Sequence, residues 1–305
     1  MRVLIADDDP VSRHMLQVSL YKAGYEVISA CDGEEAFRLL ERTDCPRLAI
    51  LDWMMPGKDG IEICREIRKR GPESYVYMIL LTAKGQQAEV IEGLDAGADD
   101  YLTKPFDLHE LKARLRVGKR LIELQEQLVS AREQLRIEAT HDSLTGVWNH
   151  KVILEIAERE LIRSKREGSP LAVIMGDLDY FKLVNDTYGH AVGDIVLRET
   201  ARRMSAAVRP YDSIGRYGGE EFLIVTPGCD LRDTTQLAER LRKSICEEAI
   251  GQSVPGLTVT MSFGVADGAE FEQGEQLVRA ADSALYSAKN SGRNRVKMAL
   301  ASKPL

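Results

Sequence analysis

The sequence predicts two domains of different α/β character: a doubly wound, five-stranded parallel sheet and then an α+β sheet, joined by a long helix. Three observations carry this prediction. Short apolar strands alternate with amphipathic helices through residues 1–102, the ordering of a parallel sheet. Residues 107–139 contain no proline and a single glycine, Gly118, and are rich in helix formers. Beyond residue 141 the order becomes strand, helix, hairpin, helix, strand, which builds a sheet with helices packed on one side. A chain of 305 residues has room for two such cores.

In the first domain (1–120), strands are expected at 1–6, 25–30, 48–51, 77–81 and 100–102. Helices are expected at 34–41, 61–69 and 86–96, and before them in a segment whose period is set by Val11, Met15, Val18 and Leu20. Functional groups of such sheets gather beyond the carboxyl ends of the strands. Asp7, Asp8, Asp52, Thr82 and Lys104 all fall there. Converging carboxylates repel each other unless a cation neutralises them, and Mg²⁺ with oxygen ligands suits such a set. Asp52 could then attack a phosphoryl donor as a carboxylate nucleophile, with Thr82 and Lys104 meeting the new phosphoryl oxygens. The plainer alternative is a flavodoxin-like sheet whose acids cap strand ends.

The connector (107–140) carries two apolar seams. Leu121, Leu124, Leu128, Ala131 and Leu135 form one; Leu111, Leu115, Gly118, Ile122, Gln125 and Val129 form a poorer neighbour. Spacings of three and four favour a parallel two-chain coiled coil, against the alternative of one amphipathic helix lying on its own domain. Two competing seams would allow the paired helices to change register when the first domain is modified.

In the second domain (141–300), a helix at 151–165 leads to the continuous apolar run 171–175, the mark of a buried central strand. That strand ends in Gly176-Asp177-Leu178-Asp179. A helix at 195–208 follows, then strands at 214–217 and 221–226 around a two-residue Gly218-Gly219 turn that accepts positive φ. A helix at 237–247, a strand at 257–265, a helix at 275–289 and a basic turn at 290–295 complete the domain before a last strand. The architecture resembles the palm of polymerases and nucleotide cyclases. It could set Asp177 beside Glu220 and Glu221 to bind two Mg²⁺ ions and a triphosphate for in-line displacement. A solvated surface hairpin is the alternative for the two glutamates. No Gly-x-x-x-x-Gly-Lys-Ser/Thr loop exists, so phosphates need another cradle.

Composition narrows the function classes. A net charge of −7 and no basic recognition helix argue against nucleic acid as partner. No apolar run is long enough to insert in a membrane. Five scattered cysteines (Cys31, Cys45, Cys64, Cys229, Cys246) lack metal-ligand spacing and read as reduced thiols of a cytoplasmic protein.

The first domain resembles a response-regulator receiver in Asp7-Asp8, Asp52 within Leu-Asp-Trp-Met-Met-Pro-Gly-Lys-Asp-Gly, Thr82, Tyr101 and Lys104-Pro105-Phe106. The resemblance implies phosphorylation of Asp52 by a histidine kinase, with one Mg²⁺ on Asp8, Asp52 and the Met54 carbonyl and with Asp7 assisting. Thr82 and Tyr101, with Lys104, would form the switch.

The second domain resembles a GGDEF-type diguanylate cyclase. The matching motifs are Asp-x-Leu-Thr-Gly-x-x-Asn, Asp-x-Asp-x-Phe-Lys, Asn-Asp-x-x-Gly-His-x-x-Gly-Asp, Arg-Tyr-Gly-Gly-Glu-Glu-Phe and Ala-Lys-x-x-Gly-Arg-Asn. The resemblance implies condensation of two GTP into cyclic di-GMP by a homodimer, with two Mg²⁺ per site. Asp177, the Leu178 carbonyl and Glu220 would hold metal with Glu221 close by, and Glu220 would be the base for the attacking 3′-hydroxyl. Asn185 and Asp194 would read guanine, with His190 in the same segment. Phe181, Lys182, Lys289 and Arg293 would meet phosphates. A carboxylate at Asp194 accepts from the guanine ring N–H and exocyclic amine, donors that adenine does not offer in the same place. Arg209-x-x-Asp212 stands at the family's product-inhibition spacing, with a surface ion pair as the alternative. Two positions depart from the family pattern: Glu220 replaces Asp but keeps the carboxylate, and His150 stands where arginine usually follows the asparagine. A non-catalytic module that binds cyclic di-GMP is the competing function; its loss of catalysis should erase Asp177, Glu220, Glu221 or Asn185, and all four are present.

Overall fold

The computed structural model describes residues 1–71, 75–83, 87–247, 249–250 and 256–299. By its contacts the chain divides into Met1–Gln134 and Leu135–Leu305. Among the described residues no helix is long and apolar enough to cross a membrane.

In the first unit, β1 (Arg2–Ala6), β2 (Glu26–Ala30), β3 (Leu48–Asp52), β4 (Tyr77–Ala83) and β5 (Asp100–Lys104) form an all-parallel sheet in the order β2-β1-β3-β4-β5. The crossovers are α1 (Pro10–Lys22), α2 (Gly33–Glu41), α3 (Gly60–Arg68) and α4 (Gln87–Asp95). Crossover helices bury both sheet faces, so the central strands are apolar throughout. Leu4, Ala49, Leu51 and Leu80 face one core, and Val3, Ile5, Ile50 and Ile79 the other. The expected helix start at Gln86 lies outside the described residues.

Of the stripe expected in helix α1 only Leu20 is buried. Leu16 and Leu20 are buried, while Val11, Met15 and Val18 are exposed. Both stripes share helical spacing, so the period alone does not choose between them.

Helix α5 runs unbroken over Leu108–Thr140. Its residues Leu111, Leu115 and Ile122 join the core of Val3, Ile5 and Tyr77, and a Cβ at Gly118 would collide with the Tyr77 ring. Of the seam expected to compete for a partner helix, Leu111, Leu115, Gly118 and Ile122 are therefore buried against the chain's own sheet, while Gln125 and Val129 are half-buried. The other seam stays open, with Leu121, Leu124, Leu128 and Leu135 between 41% and 65% exposed.

The second unit contains α6 (His150–Glu167), β6 (Leu171–Leu178), α7 (Phe181–Tyr188), α8 (His190–Ala207), β7 (Ser213–Arg216), β8 (Glu221–Pro227), α9 (Leu231–Cys246), β9 (Met261–Asp267), α10 (Gly274–Asn290) and β10 (Val296–Met298). The sheet order is β10-β9-β6-β8-β7, antiparallel except for the β9–β10 pair. Helices cover both faces, not the one expected. Ile174, Phe222 and Phe263 pack with α7, α8 and α9 residues such as Val184, Val196 and Leu241; Val173, Met175 and Leu223 pack with Ile153 of α6 and Leu285 of α10. The continuous apolar run of β6 is the consequence, since both sets of its side chains are buried.

Several boundaries also differ. Helix α7 was not anticipated, α8 starts at His190 instead of residue 195, α9 starts at Leu231, and β9 starts at Met261. The expected domain end at residue 300 lies outside the described residues. The hairpin loop spans residues 217–220, and neither Gly218 nor Gly219 has positive φ. A Cβ at Gly218 would approach Glu221 Oε2 to 2.5 Å, so a larger residue there would displace that carboxylate.

Candidate functional sites

The register of the first sheet aligns its carboxyl ends. Ala6 pairs with Leu51, Asp52 with Leu81, and Ala83 with Lys104. Asp7, Asp8 and Asp52 consequently bring carboxylate oxygens within 4.8 Å of one another. Lys104 Nζ donates to Asp7 Oδ2 at 2.8 Å and to Asp52 Oδ2 at 2.7 Å. Burial pushes the Asp52 carboxyl above its ordinary range, Lys104 opposes this, and the Asp7 charge adds to it. Burial pulls the Lys104 ammonium down, but the hydrogen bonds to Asp52 and Asp7 outweigh it and leave the group above its ordinary value. Three oxygen donors with one shared cation are a fitting set for a hard divalent ion.

Thr82 is buried and its Oγ1 donates to the Ala83 carbonyl at 2.9 Å. Tyr101 is half-buried with the Arg114 guanidinium 5.8 Å from its ring, and Met54 is exposed. Sequence reasoning missed two supports of the acid cluster. Ser12 Oγ donates to Asp7 Oδ2 at 2.6 Å, and Arg13 Nη1 donates to the Asp7 carbonyl at 2.6 Å. Both lie in the first turns of α1, where the Asp9 cap aims them back at the strand end.

In the second unit, β6 sets Asp177 opposite Glu221 of β8 and Ser262 of β9. The Leu178 N–H donates to the Glu220 carbonyl at 3.3 Å, which ties the hairpin loop to the same strand end. Asp177 is only 6% exposed, and Lys289 Nζ lies 2.8 Å from its Oδ2. Burial, opposed by Lys289 and reinforced by Glu220 and Glu221, pushes the Asp177 carboxyl up to about 6. Among the described residues this trio does not draw into as tight a cluster as the Asp7 group. Its excess negative charge and hard oxygen donors still fit Mg²⁺.

The neighbouring Asp179 carries weight that its motif alone did not disclose. It is buried and accepts from Ser262 Oγ and Thr260 Oγ1, each at 2.7 Å, and from the Asn294 N–H at 3.0 Å. These bonds lock β6, β9 and the basic turn together. Tyr180 and Arg293, both with positive φ, then face each other, with the guanidinium 4.5 Å from the Tyr180 ring. Phe181 opens α7 but its side chain is buried in the core, so only its backbone N–H is left for a phosphate. Lys182 and His190 are exposed, and Asp194 is half-buried. Asn185 Oδ1 sits where a Cβ on Gly193 would be, so that glycine is required for Asn185 to approach α8.

Arg209 and Asp212 form a turn in which the Arg209 N–H donates to Asp212 Oδ2 at 2.9 Å. The guanidinium does not turn back to that carboxylate; Arg209 Nη1 approaches Cys229 Sγ at 3.2 Å. Among the described residues, Asp212 Oδ1 is buried and has no hydrogen-bond partner.

Comparison with known proteins agrees with this geometry. The family model "Diguanylate cyclase, GGDEF domain" matches residues 139–295, and "Response regulator receiver domain" matches residues 3–116. Response regulator PleD of Caulobacter vibrioides is 26% identical across 97% of this chain and 98% of its own length. Diguanylate cyclase DgcP of Pseudomonas aeruginosa is 35% identical across 68% of this chain and 32% of its own. The coiled coil and GGDEF domain of DgcB from Caulobacter crescentus, solved in complex with c-di-GMP, superposes with a TM-score of 0.56 at 31% identity, covering 62% of this chain and 99% of that one. The chain belongs to the GGDEF diguanylate cyclase family and carries a response-regulator receiver domain ahead of its cyclase domain.

Proposed function

We propose that this diguanylate cyclase is activated by phosphorylation of Asp52 and restrained by its own product, cyclic di-GMP. The observation that carries the catalytic assignment is the strand end where Asp177 faces Glu221 and Leu178 is bonded to Glu220. Mg²⁺ held by Asp177, Glu220 and the Leu178 carbonyl would screen the triphosphate and acidify the attacking hydroxyl. Glu220 accepts the proton of the 3′-hydroxyl of one GTP as its oxygen bonds to the α-phosphorus of the other and pyrophosphate leaves. The same step in the opposite sense closes the ring. Asn185 and Asp194 hold guanine; Lys182, Arg293 and the Phe181 and Lys182 N–H groups, which open α7 without a side-chain cap, hold the phosphates. Lys289, 2.8 Å from Asp177, exchanges that carboxylate for a phosphate oxygen when nucleotide enters.

Each site holds one GTP, so the reaction needs a homodimer. The exposed Leu124, Leu128 and Leu135 of α5 support a paired helix, as does the likeness to a relative solved with its coiled coil. In the receiver domain, Asp8, Asp52 and the Met54 carbonyl would hold Mg²⁺ while Asp52 accepts the phosphoryl group from a kinase histidine. The unpartnered Asp212 oxygen, with Arg209 beside it, supports a guanine-binding product site. The test is GTP turnover by the purified chain with Mg²⁺, with the product identified by mass. Cyclic di-GMP should form, and its accumulation should level the time course before GTP is consumed. Tight binding of cyclic di-GMP without turnover would sink the catalytic assignment.

A further inference from the structure

In the loop that carries Glu220, the Tyr217 and Gly218 N–H groups donate to the Glu221 carbonyl at 2.8 and 3.3 Å, while the loop's own carbonyls turn to donors outside residues 217–220. Arg216 Nε and Nη2 donate to the Gly219 carbonyl at 3.0 and 2.7 Å, and the Leu178 N–H takes the Glu220 carbonyl. The Tyr217 carbonyl is met by an unexpected group. His150 Nδ1, at the first position of α6, lies 2.6 Å from it, and the His150 and Tyr217 rings lie tilted at 45° with centroids 4.7 Å apart. A carbonyl only accepts, so Nδ1 carries the proton and donates. His150 is itself fixed by Asn149, which caps α6 through Val152 and donates from Nδ2 to the Ala139 carbonyl.

We infer that His150 is a positioning residue for the catalytic hairpin: it pins the Tyr217 carbonyl and so sets where Glu220 and Glu221 stand. This rests on the assignment of those acids to the reacting metal. The side chain is exposed and fills no core, so its effect lies in the hairpin geometry and not in folding. Small displacements of reacting groups lower turnover more than they lower substrate binding.

The test compares His150→Ala, His150→Gln and His150→Asn in the full chain, reading kcat, KM for GTP and the melting temperature. The Asn side-chain nitrogen takes the place of Nδ1, whereas the Gln nitrogen takes that of Nε2. His150→Ala and His150→Gln should lose about tenfold in kcat with little change in KM or melting, and His150→Asn should restore most of it. Three variants that behave alike, or a loss confined to KM or melting, would overturn the proposal. Glu220→Ala separates the two failures. Its turnover should collapse; turnover that survives would overturn the assignment of the acids and the role of His150 together.

Discussion

Asp177 shows how one residue couples folding, metal and pH. Burial first, then the neighbouring Glu220 and Glu221 charges, hold its proton until about pH 6. The folded chain therefore binds a proton that the unfolded chain has already released near the ordinary carboxylate value. In the metal-free protein this contribution stabilises the acidic side of the window and is lost as pH rises through 6. A bound cation reverses the balance, because it needs the carboxylate. Mg²⁺ affinity of the cyclase site should then fall by up to about tenfold per pH unit below 6 and level off above 7, read by calorimetric titration at fixed ionic strength. Affinity that stays flat between pH 5 and 7 would show that no ligand of the ion titrates in that window. The sequence exposed Asp177 because an apolar strand ended in it. Asp179, two residues on, remained without a role because its partners Thr260, Ser262 and Asn294 are distant in sequence.

At the scale of elements, what the sequence disclosed depended on how many surfaces each element serves. Strand β6 was legible because both its faces are buried, and the same continuous run implies cover on both sides, which the expectation of helices on one side did not draw from it. Helix α7 escaped because its eight residues include only two buried apolar ones, Phe181 and Val184. In α5, two stripes looked alike in sequence and differ in structure. Leu115, Gly118 and Ile122 are interior, whereas Leu124 and Leu128 remain exposed. The double substitution Leu124→Glu with Leu128→Glu should therefore leave receiver melting unchanged. It should weaken self-association by at least about tenfold, because each leucine lost from a buried seam costs about 1.5–3 kcal/mol. Cyclase activity should fall with it. By contrast, Leu115→Ala should destabilise the receiver domain by about 2–5 kcal/mol. Sedimentation and thermal melting distinguish the cases. A double variant that still dimerises and turns over normally would remove α5 as the pairing element.

At the scale of the molecule, the question is whether the receiver governs the cyclase. Lys104 bridges Asp7 and Asp52, and Thr82 points its hydroxyl at its neighbour's carbonyl. A phosphoryl group on Asp52 would compete for the Lys104 ammonium and offer Thr82 a stronger acceptor, so both side chains have a reason to move. Such a local change reaches catalysis only if it alters the population in which two cyclase domains meet. A tenfold change in that population needs only about 1.4 kcal/mol, within what one or two charge-assisted hydrogen bonds supply. Beryllofluoride with Mg²⁺ should accordingly raise cyclic di-GMP formation several-fold to tenfold at protein concentrations near the dimerisation midpoint. The gain should shrink at high concentration, where pairing is already complete, and Asp52→Asn should abolish it at every concentration. Thr82→Ala should retain Asp52 modification and lose most of the gain. Activation that persists undiminished at saturating concentration would place the control within the assembled dimer, whereas turnover indifferent to beryllofluoride throughout would leave the cyclase independent of its receiver.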